Sequence, residues 1–431
     1  MPSAVLLCLL LLCSVAPAEG YDYPFSDPYA ATVLGTPPED QFDIDSIRPN
    51  TLWDVIPVHK LHAPHTEELL LHERPIPEIL WYDDAMQYSI ALVPGKAPLL
   101  FFVAGTGASH QSSTCRFFQE VFQRAGFHVV TLSSPTHPNF VVSASTTQVP
   151  GYIPHDVNDL YRSMEAIVER IGRERISAYH LAGYSLGGTQ AAFLAELDAR
   201  MGHFGFQRVL LLNPAVSLMT SALRLDQLLS RNVASRAEAA HVVAQIISDL
   251  SAAYRASDQV RFGDELLFDL NRKRPLTAKE FQVLIGVAFR LSLASMVFAS
   301  DVCTGAGYLV PRGHVISTSE PLEPYLQAAV GIRFEDYISE YLLPFLQFQD
   351  PTLTREQAIA ACSLEAIAPF LRRATHVAVM TNADDPILSP ENLEFLKQTF
   401  TNRLILYPVG GHCGNLRYRD NVAAILHFFT R

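Results

Sequence analysis

With 431 residues, 49% of them apolar and only 18% charged, the chain can bury a large core as one big domain with an insertion or as two domains. A formal net charge of -12 and a pI near 5.7 argue against electrostatic capture of nucleic acid or of an anionic lipid surface. The one basic cluster, "NRKRPLTAK" at 271–279, is broken by Pro275 and reads as a solvated loop.

The first eighteen residues, "MPSAVLLCLLLLCSVAPA", place an apolar run before Ala16-Pro17-Ala18, the small-x-small pattern of a signal-peptidase site. Cleavage before Glu19 is expected, with export to the periplasm or beyond. The run is short for a membrane span, and Leu12 is bulky where a lipid-modified Cys13 needs a small neighbour. Loss of Cys8 and Cys13 leaves Cys115, Cys303, Cys362 and Cys413, an even set that could form one or two disulfides in an oxidising compartment. His59, His62 and His65 in "HKLHAPH" lie in a Pro-interrupted stretch with no acidic partner in register and read as surface. No metal or cofactor is expected.

From 19 to 74 the sequence is rich in Pro, Asp and aromatics without a sustained period, which predicts an extended arm wrapped on the domain. "EILWYDDAMQYSIALVPG" reads as a hairpin, and "PLLFFVAGTG" as a strand buried on both faces of a parallel sheet. A helix over "TCRFFQEVFQRAG", the strand "HVVTLSS", a helix over "HDVNDLYRSMEAIVERIG", the strand "ISAYHLAGYS", another helix and the strand "RVLLLNP" follow. This alternation predicts an α/β fold, a mostly parallel sheet covered by helices on both faces. It stops after Pro214, where a largely helical block begins, and resumes with "HVAVMTNADDP", "PENLEFLKQTF", "NRLILYP" and a closing helix. The predicted core is therefore 75–214 plus 363–431. The helical block 215–362 is an insertion expected to lie as a lid over the carboxyl ends of the strands. Its segment Phe281–Val310 is apolar enough to suggest a membrane helix, but Arg290 and Asp301 interrupt it, so a packed helix is expected.

The most informative stretch is "HLAGYSLGGTQAAFLAEL", where Gly183-Tyr184-Ser185-Leu186-Gly187 closes a strand and opens a helix. A nucleophile held on a strained turn needs small neighbours, so that strand and helix can approach it. A serine hydroxyl also needs a base and an orienting acid. In a sheet of this kind the acid should follow a late strand and the histidine the last one. "VMTNADDPILSP" offers Asp385, with Asp384 as the fallback, and "LYPVGGHCGN" offers His412. Taken singly, an Asp-Asp-Pro turn or a loop histidine means little; the three together point to a catalytic triad. Two amide donors are then required for the oxyanion. Leu186, at the start of its helix, is one, and Thr106, in the Gly105-Thr106-Gly107 turn, is the other.

With "GYSLGG" as nucleophile elbow, "ADDP" as acid turn and "GGHCG" as histidine loop, the chain resembles an α/β-hydrolase fold serine hydrolase. The run "ACSLEAIAPFLRRATHVAVMTNADDPILSPENL" resembles the esterase and lipase branch in particular. Ala104-Gly105 stands where many relatives carry His-Gly, and the insertion matches no pattern of that branch.

The resemblance implies acyl transfer from an ester to water. A large apolar lid favours a small-molecule or lipid ester with a hydrophobic acyl group, with peripheral membrane contact through the lid as a further option. "FQVLIGVAFRLSLASMVFA" is more apolar than one packed helix face needs, and Leu291 is a candidate acyl contact. A thioesterase, lactonase or peptidase would use the same triad, and a non-catalytic binding protein is the remaining rival.

Overall fold

The computed structural model describes residues 20–47, 61, 63–235, 238, 239, 241–246, 248, 268 and 271–430. The leader, Cys8, Cys13, His59 and His62 lie outside them. One sheet runs in the order β1-β2-β4-β3-β5-β6-β7-β8. Its strands are β1 (His65–Leu69), β2 (Met86–Ala91), β3 (Ala97–Val103), β4 (His128–Leu132), β5 (Ile176–Tyr184), β6 (Arg208–Leu212), β7 (Val377–Asn382) and β8 (Leu404–Tyr407). β2 pairs antiparallel with β1 and β4, and every other pair is parallel.

Alternation along β3 shows why its sequence is apolar throughout. Leu99, Phe101 and Val103 pack beneath α4 (Ile153–Ile171) and α5 (Leu186–Met201). Leu100 and Phe102 pack on the opposite face against α2 (Ser113–Arg124) and the C-terminal helix Arg419–Thr430. A central strand with helices on both sides has no solvent face, so both of its side-chain sets are apolar.

The stretch read as a hairpin is not one. Glu78–Asp83 forms a 3-10 segment, and the antiparallel partner of β2 is β1, with His65 opposite Ile90 and Leu69 opposite Met86. "HTEEL" is an edge strand with one wet face, which is why it lacks an apolar alternation. His65 therefore sits on an exposed strand, 3.3 Å from Glu67, and among the described residues no group of three or more His, Cys, Asp or Glu could hold a metal ion. The arm is likewise more than extended chain, because it also contributes α1 (Pro28–Leu34), capped by Asp27.

Between β6 and β7 the chain forms α6 (Leu218–Ser230), α7 (Ala278–Thr304), α8 (Glu323–Gly331) and a helical run over 334–349. α7 is long and apolar enough to cross a membrane, yet it packs against α1, α6, α8 and α3 (Pro138–Ser143). Both charges that interrupt it are partnered. Arg290, 1% exposed, donates from Nε to Asp226 of α6 at 3.0 Å and from Nη1 to the Val330 carbonyl of α8 at 3.1 Å. Asp301 accepts the amides of Tyr308, Leu309 and Val310. Removing either partner of the Arg290–Asp226 pair would leave a buried charge uncompensated.

The four remaining cysteines are free thiols, contrary to the disulfide expectation. Cys115 belongs to α2 and packs on one face of the sheet, Cys362 packs on the other, and Cys303 belongs to the insertion. Burial pushes all three of those thiols up to about 12.

Candidate active site

Ser185 sits between β5 and α5 with φ of 55°, a left-handed backbone that few non-glycine residues adopt. The glycines around it are there for space. A Cβ on Gly183 would lie 2.2 Å from the Gly187 carbonyl oxygen, and one on Gly187 would lie 2.3 Å from that of Val103. The turn is tied to the sheet by the Ser185 amide, which donates to the Leu212 carbonyl at 2.9 Å.

Across the cleft His412 presents Nε2 at 2.9 Å from Ser185 Oγ, while its Nδ1 lies 2.9 and 3.1 Å from the two oxygens of Asp385. An ionised carboxylate only accepts, so Nδ1 carries the proton and Nε2 is left to accept the serine hydroxyl. Burial works against charge on His412, but the Asp385 carboxylate and the neighbouring Cys413 together outweigh it and hold the imidazole well above its ordinary 6.5. Asp385 is 3% exposed and takes two further hydrogen bonds, from Asn213 Nδ2 at 3.0 Å and the Ile387 amide at 3.1 Å.

The neighbouring Asp384 faces elsewhere. It accepts the amides of Gly410 and Gly411 at 3.2 and 3.0 Å and so fastens the histidine loop. Asn382 adds a bond to the Gly411 carbonyl at 2.7 Å. From the arm, Thr32 Oγ1 accepts the His412 amide at 2.8 Å. α1 lies so close that a Cβ on Gly411 would be 2.2 Å from the Pro28 carbonyl oxygen.

The family model described as the alpha/beta hydrolase family matches residues 100–425, about three quarters of the sequence. The chain belongs to the alpha/beta hydrolase family. No curated protein matches it. Solved structures that align with it include a hydrolase from Pseudomonas aeruginosa PA01, at 14% identity over 86% of this chain and 100% of that one, TM-score 0.40. Est1E from Butyrivibrio proteoclasticus aligns at 12% identity over 80% and 93%, TM-score 0.35. The thioesterase domain from the curacin biosynthetic pathway aligns at 12% identity over 85% and 100%, TM-score 0.38.

In this alpha/beta hydrolase Ser185 opens into a cleft of about 610 Å³, its solvent-open mouth included, that Thr106 and Leu186 also line. Leu186 is the first residue of α5, where an amide has no acceptor within the helix. The Gly107 amide is held by Thr136 Oγ1 at 2.8 Å, which fixes the turn carrying Thr106. The far wall comes from the insertion, with Leu225 of α6 and Phe289, Ser292, Leu293 and Met296 of α7. Those four positions of α7 follow the i, i+3, i+4, i+7 spacing of one helix face.

Leu291 is off that face and packs instead against the side cluster of Leu229, Val243, Val287 and Val330, so it is not among the residues that line the cleft. α7 is apolar all round because it has neighbours on several sides in addition to the cleft. Sequence reasoning missed three positioning side chains. Asn213, a polar residue just past the end of β6, carried a signal in its place at a strand end. Asn382, the last residue of β7, carried the same strand-end signal, whereas Thr32 carried none, since its role depends on how the arm and the last loop meet.

Proposed function

We propose that the chain is an exported serine hydrolase that cleaves carboxylic esters bearing a hydrophobic acyl group. The observation that carries this reading is the unbroken relay from buried Asp385 through His412 to Ser185 Oγ, opening into an apolar cleft. As Ser185 Oγ bonds to the ester carbonyl carbon, its proton passes to His412 Nε2, and Asp385 stabilises the imidazolium. The carbonyl oxygen takes the negative charge and is met by the Leu186 and Thr106 amides. Collapse breaks the carbon–alkoxy bond, and the proton on His412 goes to the departing alkoxide. A water deprotonated by the same Nε2 then releases the acid and restores Ser185.

Apolar walls select an alkyl chain because each buried methylene contributes about 0.8 kcal/mol. Hydrolysis of p-nitrophenyl esters by the purified protein should therefore rise from acetate to butyrate and beyond and then level off. A preference for acetate would reject the hydrophobic acyl group. A strong preference for matched thioesters, lactones or peptides would move the assignment to those substrates, which the same relay would serve.

Export rests on the leader alone, because the free thiols remove the support that paired cysteines would have lent. N-terminal sequencing of the protein recovered outside the cytoplasm should begin at or near Glu19. Recovery with Met1 retained, or with a lipid on Cys13, overturns the cleavage assignment.

A further inference from the structure

Beside the Ser185 cleft lies a second apolar hollow, partly open to solvent and of about 390 Å³ with that open space included, walled by Tyr152, Met219, Ile338, Leu342, Leu346 and Ala358. Gly151, Leu218 and Phe334 line both spaces and form the partition between them. The backbone at this partition is pinned. The Gly151 amide donates to the buried carboxyl of Asp156 at 2.9 Å, and the Pro150 carbonyl accepts the buried Tyr337 hydroxyl at 2.7 Å. Gly151 has φ of 99° and no side chain, so only Leu218 and Phe334 stand between the chambers as movable groups.

The largely apolar walls of this hollow give water few polar partners. Such a space, sharing its wall with the reacting serine, suits an alkyl chain better than either water or a polar group. Among the described residues Arg355, paired with Glu335 but with its Nε buried and unpartnered, is the one charged residue on its lining.

We propose that this second chamber receives the distal alkyl segment of a long-chain ester whose scissile carbonyl lies at Ser185. The inference rests on the ester-hydrolase reading above and narrows its substrate to esters with one long unbranched chain. The chain passes the partition beneath Leu218 and Phe334, and the second chamber sets how far chain lengthening continues to help. Because acyl and alkoxy chains share the same chemistry, two substrate series identify which of them enters.

The test uses the mature protein, p-nitrophenyl esters from acetate to hexadecanoate, and alkyl butyrates with alkoxy chains of the same range followed by acid release. Ala358→Phe fills the second chamber, and Ala358→Val fills it partly. In the wild type, kcat/KM should gain up to about fourfold per methylene and continue to climb past the octyl length in one series. Ala358→Phe should move the plateau to shorter chains and lower the dodecyl-to-butyl ratio of kcat/KM in that series by about tenfold or more. Ala358→Val should shift it by a smaller step, and fluorophosphonate labelling of Ser185 reports that each variant is folded. An unchanged ratio in both series, in either variant that still labels, overturns the chamber while leaving the ester reading intact. Absence of any ester turnover or labelling in the wild type rejects the ester reading and the chamber with it.

Discussion

Ser185→Ala is expected to abolish fluorophosphonate labelling and to lower kcat/KM for p-nitrophenyl butyrate by about three orders of magnitude or more, with Tm nearly unchanged. The substitution removes one oxygen, whose hydrogen bond is to His412 at 2.9 Å. It leaves the Ser185 amide bonded to the Leu212 carbonyl and the turn in the same left-handed conformation, which alanine and serine tolerate about equally. Residual hydrolysis over water should persist, because the oxyanion donors and the cleft remain. Adding His412→Ala to this variant should cost little more, since the two groups act as one unit. Undiminished turnover in Ser185→Ala would sink the assignment of the nucleophile.

Asp385→Asn should lower kcat on the order of ten-thousand-fold, whereas Asp384→Asn should stay within about tenfold of the parent. An asparagine at 385 nearly preserves shape but offers its amide group toward His412, which favours the tautomer with the proton on Nε2 and leaves no base for Ser185. At 384 the carboxyl oxygens only receive the Gly410 and Gly411 amides, and the asparagine oxygen can keep one of those bonds. Asn382 and Thr32 still hold the loop.

The same pair predicts a pH effect of definite sign. The Asp385 carboxylate raises the His412 pKa, and only the neutral imidazole is a base, so the acid limb of kcat/KM should lie above pH 6.5. In Asp385→Asn that limb should move to lower pH. An Asp384→Asn defect larger than that of Asp385→Asn would make Asp384 the orienting acid.

Local sequence was enough for the elements whose chemistry is local. Strands β3 to β8 and the core helices between them announced themselves by period and by punctuation, because strands buried between helices are largely apolar. Ser185, Asp385 and His412 were legible for a related reason. Each follows a strand end at the carboxyl edge of the sheet, and the crowding at Gly183 and Gly187 leaves a mark in composition.

Other features were decided only when distant parts of the chain met. β1 looks like polar loop because half of it faces water, and its partner β2 lies beyond a 3-10 segment. The choice between Asp384 and Asp385 turns on which carboxyl points at the histidine loop amides and which at the imidazole, a matter of one residue's rotation that no composition records. Leu291 and Leu293 are the same residue type two positions apart, yet one packs against a side cluster and the other lines the cleft, because adjacent helices set the rotation of α7 about its axis. The thiols of Cys303 and Cys362 sit in separate clusters, whereas Cys115 and Cys413 share one cluster and remain free, with Cys413 beside His412. Periodicity reports which residues avoid water, whereas the partner that each one avoids it with is a property of the packed chain.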